Sequence, residues 1–158
     1  MRQFALCYGS PSAGTSTVLR TLCAATEQDV NIVEYPLSTQ WFSELARAQR
    51  VVEDKTTAWT LIDVPGGLVT PGDVKAAYDS GLLDAGKGAI VRIHASPDDC
   101  MRRAPQDYVD MRTLLDWQRE IVQVENRIRE CRIRYYMVAN DSLEHAVVRL
   151  AAALHIYD

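Results

Sequence analysis

The segment Leu6-Cys7-Tyr8-Gly9-Ser10-Pro11-Ser12-Ala13-Gly14-Thr15-Ser16-Thr17 constrains the fold more than any other part of the chain. An apolar run from Phe4 to Tyr8 ends at a glycine turn, and a helical apolar period (Val18, Leu19, Leu22, Cys23, Ala25) starts directly after it. The order is therefore strand, loop, helix. Gly9 and Gly14 stand five apart and are followed by Ser16 and Thr17, the spacing of the phosphate-binding pattern G-x-x-x-x-G-K-S/T. Thr15 stands where that pattern has lysine. The loop keeps its means of binding an anion, because backbone N–H groups of a glycine loop and of a helix N-terminus point inward without help from side chains. It lacks the cation that would offset charge on a transferring phosphoryl group. Gly9 to Thr17 are thus the expected nucleotide-binding residues, and Ser16 stands at the metal-ligand position.

A second stretch, Thr60-Leu61-Ile62-Asp63-Val64-Pro65-Gly66-Gly67, runs apolar to an aspartate and then turns. That is how a carboxylate is presented to Mg²⁺ at the carboxyl edge of a parallel sheet, so Asp63 is the expected metal ligand and catalytic carboxylate. The remaining pattern alternates. Asn31 to Tyr35 reads as a strand stopped by Pro36. Trp41, Leu45, Ala48 and Val52 read as a helix capped by Ser38 or Thr39. Trp41 and Phe42 suit either a core or the flanks of a bound base. Thr70-Pro71-Gly72-Asp73 reads as N-cap, N1 proline and acidic first turn. Ala89 to His94 is a further strand, with His94 read as structural, and Ser96-Pro97-Asp98-Asp99 starts another helix. After Pro105 a long helix places Met111, Leu114, Leu115, Gln118, Ile121, Val122 and Ile128 on one face. Ile133 to Ala139 is the fifth strand, and Asn140-Asp141-Ser142 opens a last helix with Leu143, Ala146, Val147, Leu150, Ala151 and Leu154 as its apolar stripe. Alternation of this kind predicts an α/β fold, a three-layer αβα sandwich around a five-stranded, mostly parallel sheet in one domain spanning 1–158.

Hydrophobic residues make up 47% and charged residues 24% of the 158, which excludes a disordered chain. The net charge of −4 disfavours a general nucleic-acid coat. No apolar run approaches a membrane span and no leader pattern opens the chain, so the expectation is a cytoplasmic protein without a membrane partner. Cys7, Cys23, Cys100 and Cys131 lack metal or redox spacing and predict reduced thiols, Cys7 and Cys23 buried. Trp41, Trp59 and Trp117 leave room for an exposed aromatic interface. Arginines gather between Arg102 and Arg134 with six acids among them, a pattern that also suits a salt-bridged helix face.

In Gly9 to Thr17, Leu61-Ile62-Asp63-Val64, Ile90 to Ile93 followed by Ser96-Pro97, the arginines near 102 to 112, and Val138-Ala139-Asn140-Asp141-Ser142-Leu143-Glu144, the chain resembles the P-loop nucleoside monophosphate kinase-like proteins. Within them it resembles the deoxynucleoside monophosphate kinases and DNA-base kinases of phages. The resemblance implies ATP as phosphoryl donor, Mg²⁺ held by Ser16 and Asp63, and a nucleotide-like acceptor, a nucleoside monophosphate or a modified base in DNA. It also implies a lid at about 100–115 whose arginines, here Arg102, Arg103 and Arg112, close over the phosphates and would compensate for Thr15. The acceptor side would be Glu34 to Arg50, with Glu34, Trp41, Arg47 and Arg50 as candidates. The departure at Thr15 keeps open a catalytically inactive nucleotide-binding or regulatory protein. Asp63-Val64-Pro65-Gly66-Gly67 also compares with the D-x-P-G turn of partition-type ATPases.

Overall fold

The computed structural model describes residues 2–51, 58–65, 68–103 and 110–156. Val52, Gly66, Gly67, Pro105 and the middle of the expected lid lie outside the described residues. The elements run β1 (Arg2–Gly9), α1 (Thr15–Ala25), β2 (Val30–Glu34), α2 (Gln40–Val51), β3 (Ala58–Asp63), α3 (Pro71–Asp79), β4 (Ala89–His94), α4 (Pro97–Arg103), α5 (Met111–Cys131), β5 (Tyr135–Ala139) and α6 (Leu143–Ala153). The strands form one five-stranded sheet in the order β2-β3-β1-β4-β5, and every pairing is parallel.

The central strand β1 is flanked on both sides, so its residues face helices on either surface and from Phe4 to Gly9 are all buried. Phe4, Leu6 and Tyr8 point to one face, where α2, α3 and α5 pack through Phe42, Val74, Ala77, Trp117, Ile121 and Val124. Ala5 and Cys7 point to the other, where α1 and α6 supply Val18, Leu19, Leu22, Ala146 and Leu150. This is the αβα sandwich expected from a continuous apolar run in a parallel sheet. Register brings Cys7, Glu34 and Asp63 side by side and pairs Gly9 with Ile93. The loop and the aspartate therefore meet at one carboxyl edge.

Several expectations need correction. On α2 the buried positions are Phe42 and Ala46, and Ala48 is exposed. Phe42 packs face to face on the buried Tyr35, ring centroids 4.8 Å apart, and that contact turns the helix. On α5 the buried stripe is Leu114, Trp117, Ile121, Val124 and Ile128, while Leu115 and Val122 are about half exposed. A helix lying on a sheet and one neighbour buries a single narrow stripe, and the row containing the large indole occupies it. The fifth strand starts at Tyr135, because Arg132 leaves α5 in the left-handed conformation (φ 56°) and the N–H of Ile133 still bonds Ile128. Cys7 is buried but Cys23 is only partly so. Trp59 and Trp117 are buried and Trp41 packs against the core, so the tryptophans build the interior.

Candidate functional site

The loop after β1 is shaped by short-range bonds and by two glycines. The N–H of Ala13 donates to Ser10 O at 3.0 Å, and that of Val18 to Gly14 O. Gly14 takes a left-handed conformation (φ 87°) as the N-cap of α1, with no side-chain cap on the helix. A helix start without a side-chain cap leaves its first N–H groups for an incoming acceptor. Residues 9–17 and Val64 enclose a cavity of about 200 Å³. All nine residues expected to bind nucleotide line it. Thr15 Oγ1 lies close over Gly9, 2.6 Å from where a Cβ on that glycine would stand.

Beside the cavity, Ser16 Oγ donates to Asp63 Oδ2 at 2.6 Å. Asp63 Oδ1 is buried with no partner among the described residues. A hydroxyl and a half-satisfied carboxylate at the foot of a phosphate-sized cradle fit a divalent cation, since hard oxygens of this kind are its preferred ligands. Cys7 pairs in register with Asp63. Burial first and the neighbouring carboxylate second push its thiol far up, so it is neutral and inert.

The expected lid arginines separate. Arg103, at the end of α4, donates from Nη1 to Ala13 O at 3.3 Å and from Nη2 to Asn140 O at 2.9 Å, so it braces the outer wall of the loop. Arg102 is paired with Asp99 on its own helix and is mostly exposed. Arg112 is exposed on the first turn of α5, with no bond to the loop among the described residues. Two residues outside the expected site also hold the loop. Asn140, buried, donates from Nδ2 to Ala13 O at 2.8 Å, and Cys100 Sγ lies 3.4 Å from Ser10 Oγ. A second cavity, about 310 Å³, opens between α4 and the β5–α6 turn, lined by Asp99, Arg102, Arg103 and Asp141.

No protein-family model matches the chain, and no curated protein matches it. Solved structures do. The shikimate kinase of Acinetobacter baumannii in complex with shikimate is 13% identical, with a TM-score of 0.58 over 98% of this chain and 94% of that one. The gluconokinase of Sinorhizobium meliloti is 15% identical, at 0.58 over 97% and 91%. A sugar kinase of Janibacter sp. is 13% identical, at 0.58 over 99% and 96%. The fold is that of the P-loop kinases. At such identity the likeness concerns the backbone path alone.

The residues expected on the acceptor side lie at the end of β2 and along α2. Glu34 ends β2 beside Asp63 and is exposed at the sheet edge. Trp41 packs on Tyr35 and Phe42, and Arg47 bonds the Ser43 carbonyl one turn back on its own helix. The side chain of Arg50 lies outside the described residues. Tyr35, read in the sequence only as the end of a strand, donates to Asp73 Oδ1 at 2.6 Å. Asp73 Oδ2 in turn accepts from the N–H and the hydroxyl of Thr70, tying β2 to the start of α3. His94, at the end of β4, is held in its neutral form, because burial and then Arg92 lower its pKa.

Proposed function

We propose that the protein is a P-loop phosphotransferase that moves the terminal phosphoryl group of a nucleoside triphosphate to an acceptor bound at the same sheet edge. One observation carries this reading: Ser16 and Asp63 are joined at 2.6 Å, with Asp63 Oδ1 left over, at the foot of a glycine cradle. The N–H groups at the start of α1 would hold the β- and γ-phosphates. Ser16 and Asp63 would hold Mg²⁺, which when bound offsets the phosphate charge. Arg103 supplies positive charge from the outer wall, in partial compensation for Thr15. The neighbours' names, those of shikimate, gluconate and sugar kinases, support transfer to a small hydroxylated molecule. The family resemblance supports a nucleoside monophosphate or a modified base in DNA, approached from Glu34, Trp41, Arg47 and Arg50.

A second reading, an inactive nucleotide-binding protein, is favoured by the engagement of Arg103 with two backbone carbonyls and of Arg102 with Asp99. Calorimetric titration with triphosphate, with and without Mg²⁺, tests both. Metal-dependent binding that Ser16→Ala weakens by about tenfold or more supports a phosphate and metal site. Phosphoryl transfer abolished by Asp63→Asn then selects the enzyme, and binding without transfer to any acceptor selects the inactive protein. No binding at millimolar triphosphate overturns both.

A further inference from the structure

The peptide group between Ala13 and Gly14 is gripped by its oxygen. Ala13 O accepts from Asn140 Nδ2 at 2.8 Å and, more weakly, from Arg103 Nη1 at 3.3 Å. A trans peptide sets its C=O and N–H in opposite directions, so two donors on the oxygen turn the Gly14 N–H away from both. Gly14 lines the cavity of the loop, and neither Asn140 nor Arg103 does. The N–H therefore points from the outer wall into the cradle, and among the described residues no acceptor takes it. On either side of Ala13, Ser12 (φ 63°) and Gly14 (φ 87°) are left-handed, the alternation by which successive N–H groups converge on an anion.

Asn140 is itself fixed for this task. It is buried, its own N–H donates to His94 O at 2.7 Å, and its carbonyl accepts from Arg103 Nη2 at 2.9 Å, so the backbone that carries the amide is tied on both sides. A Cβ on Gly14 would stand 2.6 Å from Asn140 Nδ2. Glycine is thus required at 14 for the approach of this amide as well as for its φ. With Thr15 in place of a lysine, the loop holds phosphate chiefly through its N–H groups, and their aim then decides the affinity. We infer that Asn140 is the positioning residue of the phosphate site: it touches no phosphate, and by holding Ala13 O it presents the Gly14 N–H to one. The inference rests on the loop being a triphosphate site and assigns what sets its donors.

The test is to titrate ¹⁵N-labelled protein with inorganic triphosphate and Mg²⁺, following the Gly14 amide by NMR and the affinity by calorimetry. In the wild type the Gly14 amide proton should move downfield as the site fills, the mark of a hydrogen bond to an anion. Asn140→Asp replaces the donor by an acceptor that repels Ala13 O. It should lose that downfield shift and weaken binding by about tenfold or more, the worth of one hydrogen bond. Asn140→Ser, too short to reach Ala13 O and without charge in the buried position, should act in the same direction and decides the matter where Asn140→Asp does not fold. A wild-type Gly14 amide that stays in place while triphosphate binds overturns the inference and leaves the loop reading intact. So does a folded variant that binds as tightly as the wild type or keeps the Gly14 shift. If no triphosphate binds to the wild type, the loop reading falls and the inference with it.

Discussion

Gly9 sits where two constraints meet. A Cβ there would stand 2.6 Å from Thr15 Oγ1 and 2.7 Å from the backbone oxygen of Ile93. The hydroxyl can rotate away, but the carbonyl belongs to the paired strand β4 and cannot. Gly9→Ala should therefore cost about 1–3 kcal/mol of stability, the usual penalty for overpacking a filled site, and weaken any anion held by the loop. Denaturant unfolding reads the first effect and triphosphate titration the second; a variant as stable as wild type would show that the loop takes another path. At this scale the sequence was most informative where function is written locally. Gly9, Gly14, Ser16 and Asp63 could be read because each occupies a fixed offset in a short pattern. Asn140 could not, because it meets Ala13 across 127 residues and by itself reads only as a turn before a helix.

At the scale of elements, α3 shows how a cap and a distant strand combine. The N-cap at Thr70, Pro71 at N1 and the acidic first turn were legible, being a pattern of four residues; the structure closes them into a capping box. That the same carboxylate also receives the Tyr35 hydroxyl, 38 positions away, was not. Asp73 is buried and accepts from three donors. Asp73→Ala should destabilise by about 2 kcal/mol or more, the loss of a cap plus a charged hydrogen bond. Tyr35→Phe should cost about 1–2 kcal/mol, and the double variant should cost less than the sum. Additive costs in that cycle would show the two groups to be uncoupled. The helical faces of α2 and α5 were read only in part, Trp41, Leu45, Leu114, Ile121 and Ile128 meeting the core and Ala48, Leu115 and Val122 not, for a related reason. Periodicity offers several adjacent apolar rows, and only the ring of Tyr35 against Phe42, or the sheet beneath Trp117, selects which row is buried.

For the molecule as a whole, the strand order β2-β3-β1-β4-β5 places the loop-bearing strand at the centre and β2 and β5 at the edges. Buried, doubly paired strands open only with the whole fold, whereas edges open locally. In native-state hydrogen exchange the amides of Ala5 to Tyr8 should exchange at the free energy of global unfolding, and those of Tyr136 to Val138 faster. Equal protection of β5 and β1 would contradict this picture. Among the described residues no helix is long and apolar enough to cross a membrane.

By itself the sequence determined the alternation of strands and helices, the parallel sheet with two covered faces, and the loop and aspartate at its carboxyl edge, because apolar periods, glycine turns and caps act over a few residues. Only the tertiary structure decided which helical rows are buried, that Arg103 and not Arg102 or Arg112 braces the loop, and that Asp141 faces a cavity beside it. Those outcomes depend on contacts between residues far apart in the chain, and such contacts exist only once the sheet has set its order and register.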